Sequence, residues 1–190
     1  MSEPLRVRFD TATEWEEWLA EFHADSSEIW LEIGRAGRGV RTVSYAEALD
    51  VALCFGWIDA QKRSLDDTVW LQRFTPRGPR SRWSKVNREK AGALIAAGRM
   101  RQAGLAEVER AKRDGRWEAA YDSPSTATVP SDLQAALDAD PAARAFFATL
   151  DSRNRYAILH RVQAARRPET RARLIAKYVA MLHNGERLHP

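Results

Sequence analysis

Cysteine is nearly missing from this sequence. Cys54 stands alone, so no intramolecular disulfide and no cluster of thiolate metal ligands can form. It lies in the run VALCFGW and reads as a small buried hydrophobe. Histidine is sparse too. His23, His160, His183 and His189 have no i, i+4 partner and no H-E-x-x-H setting, so no metal site is expected. No run of about 18 apolar residues occurs, which argues against membrane insertion. The opening MSEPLRVRFD lacks the apolar centre of an export signal, and the expected location is the cytoplasm. A nucleotide-cradling loop is missing as well: GRAGRG has neither a strand–turn–helix setting nor the Lys-Ser/Thr of a P-loop. No serine occupies a nucleophile elbow, and Asp66-Asp67 are turn acids, not an acid–base pair. No cofactor and no catalytic residue follow from these residues, and whether the chain turns anything over stays open.

Acids are also missing where bases gather. Residues 72–90 hold seven bases against one acid, a net +6, and residues 151–190 hold nine against three, again +6. Residues 1–32 are the reverse, with nine acids against two arginines, a net −7. Such asymmetry means either that acidic and basic faces meet inside the fold or that a basic surface awaits an anionic partner.

The periodicities predict an α+β fold. A Thr13–Glu16 capping box precedes Trp15, Trp18, Leu19 and Phe22, one apolar helical stripe. IWLEIGR (29–35) alternates like a strand. Ser44 and Glu47 box a second helix that closes at Gly56. WIDAQKRSL (57–65) and TVWLQRFT (68–75) read as a hairpin turning at Asp66-Asp67, which with 29–34 makes an antiparallel sheet of about three strands. Everything later reads as helix: one opened by Ser84 and stopped by Gly98, one stopped by Gly115, then helices capped at Ser131, Asp140-Pro141 and Asp151, and a last one from Pro168 to Gly185. The expected division is an α+β domain over 1–120, a Pro/Ser/Thr linker over 121–130 and a helical unit over 131–190.

The candidate site is the hairpin, the loop FTPRGPRSRWSKVN (74–87) and the helix start after it. That loop holds three arginines and a lysine with no acid. Pro76 and Pro79 stiffen it, so its guanidinium groups are positioned before a ligand arrives. Arginine forks bind carboxylates and phosphates bidentately. Arg77, Arg80, Ser81 and Asn87 are the leading ligand contacts, with Trp83 as a platform and Ser84 at a helix N-terminus suited to an anion. Plainer readings stand beside these: Trp83 as a packing residue, Ser84 as a simple cap, and Arg73 paired with Asp59 in a register that the sequence leaves open.

ALCFGWIDAQKR, RFTPRGPRSRWSKVN, AGRMRQAGLAEVERAKRDGRW and PETRARLIAKYV together resemble the YdeI/OmpD-associated, or bacteriocin-protection, family over roughly residues 9–185. By resemblance, weight falls on Trp57, Asp59, Arg73, Arg77, Ser81, Trp83, Ser84 and Asn87, and the implied role is stress or antimicrobial tolerance of unassigned chemistry. The expectation is a cytoplasmic protein with an anion- or polar-ligand pocket at residues 57–87. Nucleic-acid binding and a purely structural or partner-binding role are the alternatives.

Overall fold

The computed structural model describes residues 5–124 and 126–190. Its elements in chain order are β1 (Arg6–Val7), α1 (Ala12–Phe22), β2 (Ile29–Gly34), α2 (Tyr45–Cys54), β3 (Trp57–Ser64), β4 (Val69–Pro76), α3 (Lys85–Ala96), α4 (Gln102–Arg113), α5 (Ser131–Asp138), α6 (Pro141–Ala148), α7 (Ser152–Ala164) and α8 (Pro168–His183). The chain divides into two compact units. One holds the residues through Trp83 together with Asn87–Ala119; the other holds Ser84–Val86 and Ala120–Pro190.

The first unit carries the expected sheet with one strand more. The order is β1-β2-β4-β3, and β1 pairs parallel to β2 through Arg6↔Trp30 and Val7↔Leu31. Arg6 and Arg8 both reach Glu32, at 2.7 and 3.1 Å. Strand β2 is flanked on both sides, which accounts for its almost unbroken burial. In the β3–β4 hairpin, Asp66 Oδ1 accepts from the amides of Thr68 and Val69 at 2.7 and 2.9 Å, so the turn is longer than two residues. A bulge then absorbs the difference. Lys62 faces Gln72 and Asp59 faces Phe74, three steps on β3 against two on β4. Gln72, buried at 3% exposure, donates to the Gln61 carbonyl inside the bulge at 3.1 Å.

Helix α1 starts two residues before the predicted position. Its capping box is Thr11 with Glu14, not Thr13 with Glu16. Both T-x-x-E frames fit the local rule, and the frame that wins still buries Trp15 and Leu19. Trp15 is fully enclosed, donates from its indole nitrogen to the Ala48 carbonyl at 3.1 Å, and touches the rings of Phe9, Trp18, Trp57 and Phe74. The Ser44–Glu47 box on α2 is present as expected. Behind α2, the chain crosses itself closely. A Cβ at Gly104 of α4 would lie 2.3 Å from the Cys54 carbonyl oxygen. Gly56, at φ +74°, makes the turn into β3.

The second unit is helical around Leu133, Leu137, Phe147, Ile158, Leu159 and Leu182, and Ala127 and Val129 from the Pro/Ser/Thr-rich segment pack against that core. Asp140 and Asp151 cap α6 and α7 as expected, through the amides of Ala143 and Asn154. Ser131 is the first residue of α5 and not its cap; Pro130 holds that position without a side-chain bond. Asn154 is a buried polar residue of this unit, 1% exposed. Its amide nitrogen donates to the His189 carbonyl at 3.2 Å and its oxygen accepts from the His189 amide at 2.9 Å, which ties the end of the chain to α7. Asn154→Ala strips partners from that backbone pair, and urea denaturation is expected to show a loss of about 1–3 kcal/mol with faster amide exchange at residue 189. An unchanged midpoint and unchanged exchange contradict the tie.

Candidate functional site

The residues singled out in the sequence divide between several tasks. Trp57 is core: it is 1% exposed, its indole nitrogen donates to the His23 carbonyl at 3.2 Å, and it meets Trp15 and Trp18 edge-on. Asp59 accepts from the Tyr45 hydroxyl at 2.9 Å. Burial, reinforced by the Asp59 carboxylate, holds the Tyr45 phenol above its ordinary pKa. The Arg73–Asp59 pairing does not form. Asp59 lies opposite Phe74, and neighbouring residues on a strand point to opposite faces. Arg73 instead faces Trp30 on β2 and pairs with Glu28 just beyond the strand end. With Glu16–Arg101 at 2.6 Å and the Glu32 pairs, three acids of the N-terminal segment, Glu16, Glu28 and Glu32, are matched inside this unit. Lys62 and Arg63 lie over the Trp70 and Trp30 rings at 4.0 and 4.4 Å.

The basic loop folds back on itself. Ser81 closes a turn with Gly78: its hydroxyl accepts from the Gly78 amide at 2.9 Å and its own amide donates to the Gly78 carbonyl at 3.0 Å. Arg80 is exposed at the tip. Arg77 is only 5% exposed, and its guanidinium lies 3.6 Å from the centre of the Trp83 ring. Arg77 Nη1 donates to the Arg82 carbonyl at 3.2 Å, and its backbone amide donates to Gly56 at 2.9 Å. Trp83, itself 1% exposed, meets Trp117 edge-on at 4.9 Å. Ser84 is buried and bridges Tyr121 within the second unit, where Lys85 pairs with Asp122 at 2.6 Å. Asn87 is half-buried in the first turn of α3.

The sequence reading missed the other half of the cluster, which arrives from α4 and the turn after it. Arg110 Nη2 donates to the Arg77 carbonyl at 3.2 Å and to Glu107. Arg116 Nη1 donates to the Ser81 carbonyl at 2.6 Å, and its Nη2 lies 2.7 Å from Asp114. Glu107 feels Arg110, Arg116 and Arg77 together. Burial outweighs them and holds its carboxyl above the ordinary value. Arg116 does the reverse for Asp114 by hydrogen bonding, lowering it. Two buried donors, Arg110 Nε and Trp83 Nε1, have no acceptor among the described residues. Close packing of Gly104 on α2 is what brings these α4 side chains to the loop. The signal for them was the E-V-E-R pattern of α4, which reads as an ordinary solvated helix face when taken alone.

Among the described residues, no group of His, Cys, Asp and Glu could hold a metal ion, and no helix is long and apolar enough to cross a membrane. The arrangement is one of donors and positive charge: three guanidinium groups about one interior carboxylate, beside two tryptophans.

Fold and cluster define a mixed α+β chain, with an arginine-rich centre in one unit and a helical second unit. Residues 7–107 match the family model described as a domain of unknown function (DUF8412), more than half of the sequence, and the chain belongs to that family. Residues 126–185 match the model described as bacteriocin-protection, YdeI or OmpD-associated, which supports the resemblance carried by the motifs. The segments GWID and FTPRGPRSRWSKVN fall in the first match and the ETR helix in the second. No curated protein and no solved structure matches the chain.

Proposed function

We propose that the chain binds a small oxyanion, a carboxylate or a phosphate, at the guanidinium cluster of Arg77, Arg110 and Arg116 beside Trp83, with exposed Arg80 and Arg82 drawing the anion in. The observation that carries this reading lies on Arg110: its Nε is buried with no acceptor among the described residues, while its Nη2 is held by Glu107, a carboxylate on which Arg116 and Arg77 also act. A buried charged donor without an acceptor is costly unless something negative meets it. The loop and α4 hold the groups in place beforehand, which lowers the entropy lost on binding. The setting we propose for this binding is tolerance of an antimicrobial challenge, in keeping with the bacteriocin-protection description of the C-terminal match.

Thermal shift assays with phosphate, sulfate and dicarboxylates test the reading. At roughly a hundredfold excess over Kd, the favoured anion is expected to stabilise the wild type by about 2.7 kcal/mol. Arg110→Gln is expected to lose that response while its unliganded melting stays cooperative. Equal shifts in both proteins mean general salt effects and contradict the site. Stabilisation by duplex or single-stranded DNA alone, steeply weakened by salt, would replace this reading with a nucleic-acid grip.

A further inference from the structure

Arg110 presents its side-on edge, Nε with Nη2, incompletely used. Nη2 reaches Glu107 and the Arg77 carbonyl, whereas Nε is buried with no acceptor among the described residues. Glu107 therefore holds this edge through one nitrogen only. It is kept there from behind: a Cβ at Gly56 would lie 2.9 Å from Glu107 Cγ, so the carboxylate stem rests against the backbone. Its side chain is 17% exposed, which leaves it an outlet toward solvent.

On the oxyanion reading of the cluster, which this step presupposes, we infer that Glu107 is a built-in competitor that occupies Arg110 until an oxyanion with two coplanar oxygens displaces it. Such a ligand takes Nε and Nη2 together, the fork geometry that a guanidinium favours for carboxylates and phosphates. Glu107 contributes a single contact and cannot match that. The charged groups acting on Glu107 are Arg110 from its own helix, Arg116 from the turn after it and Arg77 from the loop; Asp114 is engaged by Arg116. Once displaced from Arg110, a carboxylate already raised by burial takes up a proton more readily. Anion uptake is then coupled to proton uptake, and affinity rises as pH falls toward the value of Glu107. The device sets both the strength and the pH response of the site.

Calorimetric titration of the full chain with sulfate, whose charge is constant across the range used, tests this. At about pH 7.5, Glu107→Gln is expected to bind sulfate about tenfold more tightly than the wild type, since the competing charge is gone. Wild-type affinity is expected to rise as the pH is lowered from about 7.5 toward the raised titration range of Glu107, and the variant's to stay flat. Glu109→Gln makes the same change of net charge on the same helix, at a residue paired with Lys112, and is expected to match the wild type. Arg110→Lys keeps the charge without the fork and is expected to weaken sulfate with or without the Glu107 change. If Glu107→Gln binds no tighter and keeps the wild-type pH response while Arg110→Lys still loses sulfate, the competitor role is wrong and the oxyanion site stands. Equal tightening by Glu107→Gln and Glu109→Gln reduces the effect to net charge and also overturns it. If neither the wild type nor Glu107→Gln binds sulfate, or Arg110→Lys binds as the wild type does, the site itself fails and the competitor with it.

Discussion

Gly104→Ala lowers stability by about 3 kcal/mol, whereas Gly92→Ala raises it by roughly 0.5–1 kcal/mol, both read from urea midpoints. Alanine in a helix ordinarily favours folding, because it narrows the unfolded ensemble. Gly92 lies in α3 with nothing within 4 Å of an added Cβ, so it follows that rule. Gly104 does not. Its added methyl would meet the carbonyl oxygens of Cys54 at 2.3 Å and Leu53 at 2.7 Å, and backbone atoms cannot turn aside as side-chain ends do. α4 has to move away from the end of α2, which breaks the bond from the Arg101 amide to the Cys54 carbonyl, now 3.0 Å. The same shift carries Glu107 and Arg110 off the loop. The variant is therefore expected to lose anion response along with stability. A Gly104→Ala protein as stable as Gly92→Ala contradicts the close crossing of these helices.

Trp83→Ala is the second large effect, a loss of about 3–5 kcal/mol. The ring is 1% exposed, carries Arg77 on one face and meets Trp117 at its edge. Truncation opens a cavity and removes the surface over which the Arg77 guanidinium lies, so a buried cation loses its π partner. Trp83→Phe keeps an aromatic face without the indole nitrogen and is expected to cost roughly 1–2 kcal/mol. Guanidinium unfolding of both variants separates the cases. Equal small losses would mean that the stack contributes little to holding Arg77 in place.

How much of this could be read in advance depended on sequence distance. The Ser44–Glu47 box, the Asp140-Pro141 start and the Asp151 cap are local signals, and each appears where its residues put it. Helix α1 shows the limit of such signals. TATEWEE contains two overlapping T-x-x-E frames two residues apart, and the choice between them rests on how Trp15 packs, a tertiary matter. Strand β1 is two residues long and exists only through its pairing with β2, so no pattern of its own marks it. The hairpin kept Asp59 opposite Phe74 because a bulge compensates for a longer turn, two departures that cancel. Arg73 found Glu28, 45 residues away, through strand order rather than through spacing. The cluster divides the same way. Arg77, Ser81 and Trp83 stood out as part of a stiff, acid-free loop, whereas Glu107, Arg110, Arg116 and Trp117 come from a segment that looks like any amphipathic helix and its exit turn. Gly104, the residue that lets α4 approach, was the overlooked clue.

The most direct test of the oxyanion site observes the arginine side chains themselves. In a phosphate titration followed by the Nε–Hε correlations of the arginines in nuclear magnetic resonance spectra, the Arg110 signal is expected to move along a saturable curve, joined by those of Arg77 and Arg116. Arg73 and Arg101, each paired with a glutamate elsewhere in the same unit, are expected to stay in place. Parallel, unsaturated drift of all the arginine signals would contradict the account, for it would mean that phosphate meets this chain only as salt.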